Sequence, residues 1–319
     1  MSEKPKGFIP VMLTPFKENG AIDFDGLTKL TELYLRAGAA GLFANCLSSE
    51  MFELTEEERV AVTRHVVKAA GGTVPVVATA TFGGTVQRQA DFVKRMYDTG
   101  IEAAIVITNM LAGELESDAV FDERVQQLLE ATPGVPLGFY ECPDPFKRVL
   151  SAAQLKRFVD TGRVIYHKDT CLDIDLVKAK LEVTKGIPSF GLYDAYMVHA
   201  VESLKAGSAG LSCIQGNYYP ELIVWLCEHF DNDASAEQVS KVQQFFIDHM
   251  DVMHHVYPVV AKYFLQKRGL EISTFARRFV GVFDAGVREQ LDVLYEAYQQ
   301  LLRNIRVSLF KVSANGNIA

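Results

Sequence analysis

The chain has 319 residues, 49% of them hydrophobic and 23% charged, the balance of an ordinary globular protein with disorder confined to its ends. Its formal net charge is −8, with Lys and Arg scattered rather than clustered, which leaves no electrostatic footprint for nucleic acid or an anionic membrane and favours a small-molecule partner. No run of about 18 apolar residues occurs, and the opening "MSEKPKGFIPV" has no sustained apolar stretch, so neither a membrane span nor a secretory leader is expected and the chain reads as cytoplasmic.

Short β-prone runs recur in chain order: "GFIPVML" (7–13), "AGLFANC" (40–46), "VPVVATA" (74–80), "AAIVITN" (103–109), "VPLGFYE" (135–141), "RVIYHK" (163–168), "PSFGLYD" (188–194) and "AGLSCIQ" (209–215). Each is nearly all apolar, as suits a parallel strand buried on both faces. Between them lie amphipathic stretches such as 23–38, 55–71 and 151–162, which open on Asp, Thr or Ser and often close on Gly. These are helix start and stop signals. Eight strands alternating with helices predict an α/β fold, a (β/α)8 TIM barrel, over residues 1–233. A doubly wound sheet is the competitor, but no GxGxxG follows the first run.

From about residue 234 the pattern turns to helices alone, "SAEQVSKVQQFFIDHMDVMHHV", "YPVVAKYFLQKRG" and "VREQLDVLYEAYQQLLRNI". Residues 234–319 are therefore expected to form a C-terminal helical extension, with "VSANGNIA" a frayed tail. The histidines of "HMDVMHH" (249–255) are read as a solvated or interface face away from the barrel mouth. Cys46, Cys142, Cys171, Cys213 and Cys227 are widely spaced with no CxxC pair, so reduced thiols are expected and neither a disulfide framework nor a metal site.

In such a barrel the strand C-termini line the one face where active sites occur. Lys168 ends the sixth run and Tyr140 nearly ends the fifth, so adjacent strands present both at one mouth. A lone lysine here is most simply a snorkelling surface residue, and a lone tyrosine a core residue. Together at adjacent strand ends they point to chemistry. A desolvated lysine amine, its pKa drawn down from about 10.4, attacks a ketone and forms a Schiff base. The iminium is then an electron sink for making or breaking a carbon–carbon bond, with Tyr140 placed to move the proton. No cofactor is needed for that step.

Several motifs in the same order resemble the dihydrodipicolinate synthase and N-acetylneuraminate lyase family of Schiff-base aldolases, from residue 7 to about residue 300. They are "GFIPVMLTPFKENGAIDFDGL", "SSEMFELTEEER" with Glu50 in the motif's glutamate position, "YECP", "HKDT" and "YPVVAKYFLQKRGL". The resemblance implies that Lys168 is the Schiff-base lysine and Tyr140 the proton-transfer residue. It further implies that the Ser48 hydroxyl, with its backbone amide and beside Ser49, holds a keto acid's carboxylate, and that Asp194 meets a substrate hydroxyl. It implies a homo-oligomer as well, a tetramer or a dimer.

The chain also departs from the family. Leu47 stands where a hydroxyl normally hands protons to the tyrosine, and Met110 and Leu111 stand where many members carry a tyrosine pair. Leucine cannot relay a proton. The arginine many synthases carry five residues past the tyrosine is Pro145 here, with Lys147 and Arg148 displaced beyond it, so Arg148 becomes the candidate for a second carboxylate. The expectation is a class I lyase acting on pyruvate or another 2-keto acid and an aldehyde, the apolar mouth suiting a less polar partner. The alternatives are a Schiff-base dehydratase or hydratase-aldolase, or a non-catalytic keto-acid binding protein on a decayed scaffold.

Overall fold

The computed structural model of the protein describes residues 7–305. The tail "VSANGNIA" lies outside the described residues. Eight strands, β1 (Gly7–Phe8), β2 (Leu42–Ala44), β3 (Val76–Thr79), β4 (Ala103–Ile107), β5 (Leu137–Tyr140), β6 (Val164–Asp169), β7 (Gly191–Asp194) and β8 (Gly210–Leu211), form one sheet. Every named pair is parallel. The chain continuing from β1 meets β2 through a parallel bridge between Val11 and Phe43. Phe43 N–H donates to the Pro10 carbonyl at 3.0 Å, and Met12 N–H to that of Phe43 at 3.0 Å, which closes the ring into a (β/α)8 barrel. Seven of the eight strands fall inside the runs expected from sequence, and β6 runs one residue past its run, to Asp169.

Helices α1 (Phe24–Arg36), α2 (Glu56–Ala70), α3 (Val86–Tyr97), α4 (Asp118–Ala131), α5 (Ala152–Val159), α6 (Ile174–Thr184), α7 (Ala200–Lys205) and α8 (Pro220–His229) follow the strands in turn. Asp23 accepts from Gly26 N–H to start α1, while Thr55 with Glu58 and Ser151 with Gln154 form reciprocal capping boxes for α2 and α5. Each such cap satisfies backbone donors that the helix cannot pair itself.

Because strand side chains alternate in direction, the barrel sorts its apolar residues into two layers. Val11, Phe43, Val77, Ile105, Tyr140, Tyr166 and Tyr193 pack in an inner cluster. Leu42, Ala78, Val106, Phe139 and Leu192 join the larger outer cluster with the helices.

Past residue 234 the described residues form α9 (Ala236–Asp248), α10 (Met250–His254), α11 (Val259–Lys267) and α12 (Ala285–Ile305). The helix expected to run on to residue 256 breaks at His249, whose backbone leaves the helical region. The break lets the Met253 carbonyl accept from the buried Tyr218 hydroxyl at 2.6 Å. His249 and His254 each turn Nδ1 to the carbonyl four residues earlier, at 2.8 Å. Phe245, Phe246, Phe264 and Tyr298 ring Tyr219, just past the last strand, so these helices share the barrel's outer core. Among the described residues no helix is long and apolar enough to cross a membrane.

Candidate active site

The strand register brings Ile107, Tyr140, Lys168 and Tyr193 into one row across β4 to β7. Tyr140 and Lys168 are therefore direct neighbours, both on inward-facing positions near the strand ends. Lys168 Nζ lies 4.1 Å from the Tyr140 ring centroid. Phe43 meets Tyr140 edge-on at 5.8 Å and Tyr166 at 6.0 Å, and Tyr166 stacks on Tyr193 at 4.9 Å. An aromatic floor thus seals the barrel beneath the lysine.

Lys168 is only 5% exposed, and burial holds its ammonium below the ordinary lysine range, opposed by the nearby thiols of Cys46, Cys142 and Cys213. Burial likewise raises the Tyr140 phenol well above its ordinary value, reinforced by Cys142 and Cys46. Burial pushes the Cys142 thiol up to about 11 and the Cys213 thiol to about 12. The site at neutral pH thus combines a protonated phenol, neutral thiols and a lysine eased towards its free-amine form. All five cysteines are free.

The residues after β2 form a short 3₁₀ turn, Leu47–Ser49. Here the two candidate serines part. Ser49 Oγ donates to the Met12 carbonyl at 2.6 Å and accepts from Cys46 N–H at 3.0 Å; it ties the turn to the barrel rim. Ser48 Oγ instead accepts from the Tyr257 hydroxyl at 2.8 Å. Glu50, in the left-handed conformation with φ 56°, anchors the turn to the C-terminal segment. Its carboxylate pairs with buried Lys262 Nζ at 2.9 Å and accepts from the backbone of Arg277 at 2.7 Å and Arg278 at 3.1 Å.

Two other sequence candidates are held elsewhere. Asp194 takes the outward-facing register opposite Asp169, where it accepts from Tyr196 N–H and lies 2.9 Å from His199 Nε2. Arg148 spends its guanidinium on Asp118 and on the carbonyls of Gly113 and Glu116, at 2.7 to 2.8 Å. Both its terminal nitrogens are engaged with the start of α4 and the segment before it. Leu47 and Met110 pack against the inner cluster, whereas Leu111 turns into the outer core. Asn109 Nδ2 faces the carbonyls of Cys142, Asp144 and Phe146 and pins the loop after β5.

Behind Lys168, on the outward side, Lys180 Nζ bonds Glu141 Oε1 at 2.6 Å and Asp169 Oδ2 at 2.7 Å, all three buried. His167 Nε2 stands 3.4 Å from Glu141 and 3.5 Å from Asp169, contacts of charge more than of close hydrogen bonding. Burial disfavours every charge here, yet the Lys180 ammonium and His167 hold the Asp169 carboxyl well below its usual range, while the two carboxylates raise Lys180 and His167. Glu141, His167 and Asp169 lie close enough to ligate one cation. The Lys180 ammonium already fills that place.

Sequence reasoning passed over Tyr257, Asn217, Lys180 and His199. Tyr257 opens the stretch read as an extension helix, where nothing local marks it as bound for the barrel mouth.

The sequence matches the profile of the dihydrodipicolinate synthetase family over residues 4–298. It is 28% identical over 265 residues to a 4-hydroxy-tetrahydrodipicolinate synthase of Hyphomonas neptunium, covering 83% of this chain and 88% of the relative. It is 22% identical to one of Nitrosococcus oceani, covering 93% and 96%. Among solved structures, a prophage protein of the dihydrodipicolinic acid synthase family from E. coli K12, in complex with pyruvate, superposes with a TM-score of 0.81 at 22% identity, covering 95% of this chain and 99% of that one. A Bacillus anthracis dihydrodipicolinate synthase gives 0.83 at 21%, covering 93% and 99%. With the profile spanning nearly the whole barrel and the helices behind it, the chain belongs to the dihydrodipicolinate synthetase family.

Proposed function

We propose that the protein is a class I lyase that binds pyruvate, or a close 2-keto acid, as a Schiff base on Lys168 and makes or breaks a carbon–carbon bond. The observation that carries this reading is the buried Lys168 ammonium set directly over Tyr140 at the strand ends. In the free-amine form Nζ adds to the keto carbon. Tyr140, kept protonated by burial, gives its proton to the departing hydroxyl, which leaves as water. The iminium acidifies the methyl group; the Tyr140 phenolate takes that proton back and leaves an enamine, whose carbon adds to an aldehyde carbonyl in synthesis and is regenerated in cleavage. Pyruvate is suggested by the relative solved in complex with it.

The second substrate is proposed as an aldehyde without a second carboxylate close to this mouth. Arg148 is engaged with the segment before α4, and Leu47 and Met110 line the inner cluster. The five free thiols support a reducing, cytoplasmic setting. Assembly into a homo-oligomer, a tetramer or dimer, is supported by exposed Phe279 and Val282, and light scattering tests it. The function itself is tested by borohydride reduction in the presence of pyruvate. A stable adduct mapped to Lys168 is expected, and a folded protein without one refutes the reading.

A further inference from the structure

A line of hydrogen bonds, each with its direction set by its donors, runs from the barrel wall to Ser48. It begins at Tyr34, on α1. Tyr34, fully buried, donates its own proton to Asn217 Oδ1. The Asn217 amide is oriented by a group that can only accept: Nδ2 donates to the Val11 carbonyl at 2.9 Å. Its second hydrogen goes to the Tyr257 oxygen at 2.6 Å. The Tyr257 oxygen is thereby an acceptor on that side, and its proton goes to Ser48 Oγ at 2.8 Å.

Each member passes its proton forward, so the chain has one polarity. At its end the Ser48 oxygen is already an acceptor. Its own hydrogen is left free to turn away from Tyr257. Hydrogen bonds in series polarise one another, so a hydroxyl that accepts from a phenol is a better donor.

Tyr257 reaches this position at a cost in backbone conformation. The residue before it, Val256, has φ 55°, a left-handed value that a β-branched side chain rarely adopts. The turn between α10 and α11 thereby delivers the phenol to the mouth, where burial and then the Ser48 and Asn217 contacts bear on it, with burial dominant in keeping it protonated.

We propose that Tyr257 is a positioning residue for the substrate's carboxylate: through its hydrogen bond it holds Ser48 as an oriented donor, so that a negatively charged 2-keto acid is preferred over a neutral ketone. This inference rests on the Schiff-base reading and adds to it the group that selects the charged end of the substrate. Leu47 brings no hydroxyl to this turn, so the phenol that orders it comes instead from the C-terminal segment of the same chain.

The test is borohydride trapping at subsaturating ligand, with pyruvate and with its neutral methyl ester, on the wild-type chain, Tyr257→Phe, Ser48→Ala and the double variant. Phenylalanine keeps the ring and removes the hydroxyl, so Ser48 loses its donor and one Asn217 hydrogen its acceptor; an unchanged melting temperature checks the fold. Tyr257→Phe is expected to slow trapping of pyruvate roughly tenfold, the order of one lost hydrogen bond to a charged assembly, and to leave the ester nearly unchanged. In the Ser48→Ala background the same substitution should add little, because its effect passes through the serine. Equal losses for both ligands, no loss for either, or a full additional loss without Ser48 overturns the inference while the Schiff-base reading stands. A wild-type chain that forms no adduct with pyruvate overturns both.

Discussion

Lys168 Nζ sits 4.1 Å from the centroid of the Tyr140 ring, on the neighbouring strand. The ring's negative face attracts the ammonium, while burial works against the charge. The lysine is thus held in place over the phenol without a carboxylate beside it to lock it in the charged form.

Removing either member separates their roles. Lys168→Ala is expected to abolish the borohydride adduct. Tyr140→Phe should still form it, more slowly, and should lower turnover by roughly 10² to 10⁴, the usual span for one general acid–base group. Peptide mapping together with steady-state rates reads both, and a Tyr140→Phe chain with unaltered turnover would exclude the phenol from proton transfer.

The pH profile follows from the sign of the lysine shift. The attacking species is the free amine, and burial holds the Lys168 pKa below its ordinary 10.5. Imine formation should therefore rise with pH and level off at an inflection below that value. Stopped-flow trapping from pH 5 to 10 measures it; an inflection at the unperturbed lysine value would contradict the desolvated site.

Behind the site, Lys180 neutralises Glu141 and Asp169 with almost no water present. Lys180→Ala strands two buried carboxylates and should cost about 3–5 kcal/mol of stability. Urea unfolding gives the figure. A loss under about 1 kcal/mol would mean that water enters the cluster freely.

His167 adds a pH-dependent part to the same cluster. The two carboxylates raise its pKa above the ordinary histidine value despite burial. A group bound more tightly to its proton in the folded state stabilises fully below its unfolded pKa, and that contribution is lost as pH rises through the folded one. The wild-type urea midpoint should accordingly fall as pH climbs above about 6.5, and His167→Gln should flatten this decline. An identical slope in the variant would show that the imidazole stays neutral throughout.

Gly138 gives a packing test close to the site. A Cβ there would meet Ile105 Cδ1 at 2.6 Å and Tyr166 Cβ at 2.8 Å. Gly138→Ala should cost about 1–3 kcal/mol through overpacking of the barrel interior and should also slow trapping by shifting β5 against β6. Thermal melts and trapping rates read the two effects; neutrality in both would mean that the inner layer yields easily.

The eight-strand rhythm, the helix caps at Asp23, Thr55 and Ser151, and the placing of Tyr140 beside Lys168 were legible in the sequence. Each depends on contiguous residues: alternation sets which side chains face inward, and a strand's last residues lie at the mouth. What neighbouring residues do not encode is which polar groups spend their donors on one another. Ser48 and Ser49 look equivalent in sequence, but only the fold turns one into the rim and the other to Tyr257, 209 positions away. Arg148 looked free until α4 and the segment before it arrived to engage both its terminal nitrogens. A buried polar group must find a partner wherever the chain brings one, and that choice was made by the closed barrel and the helices packed behind it.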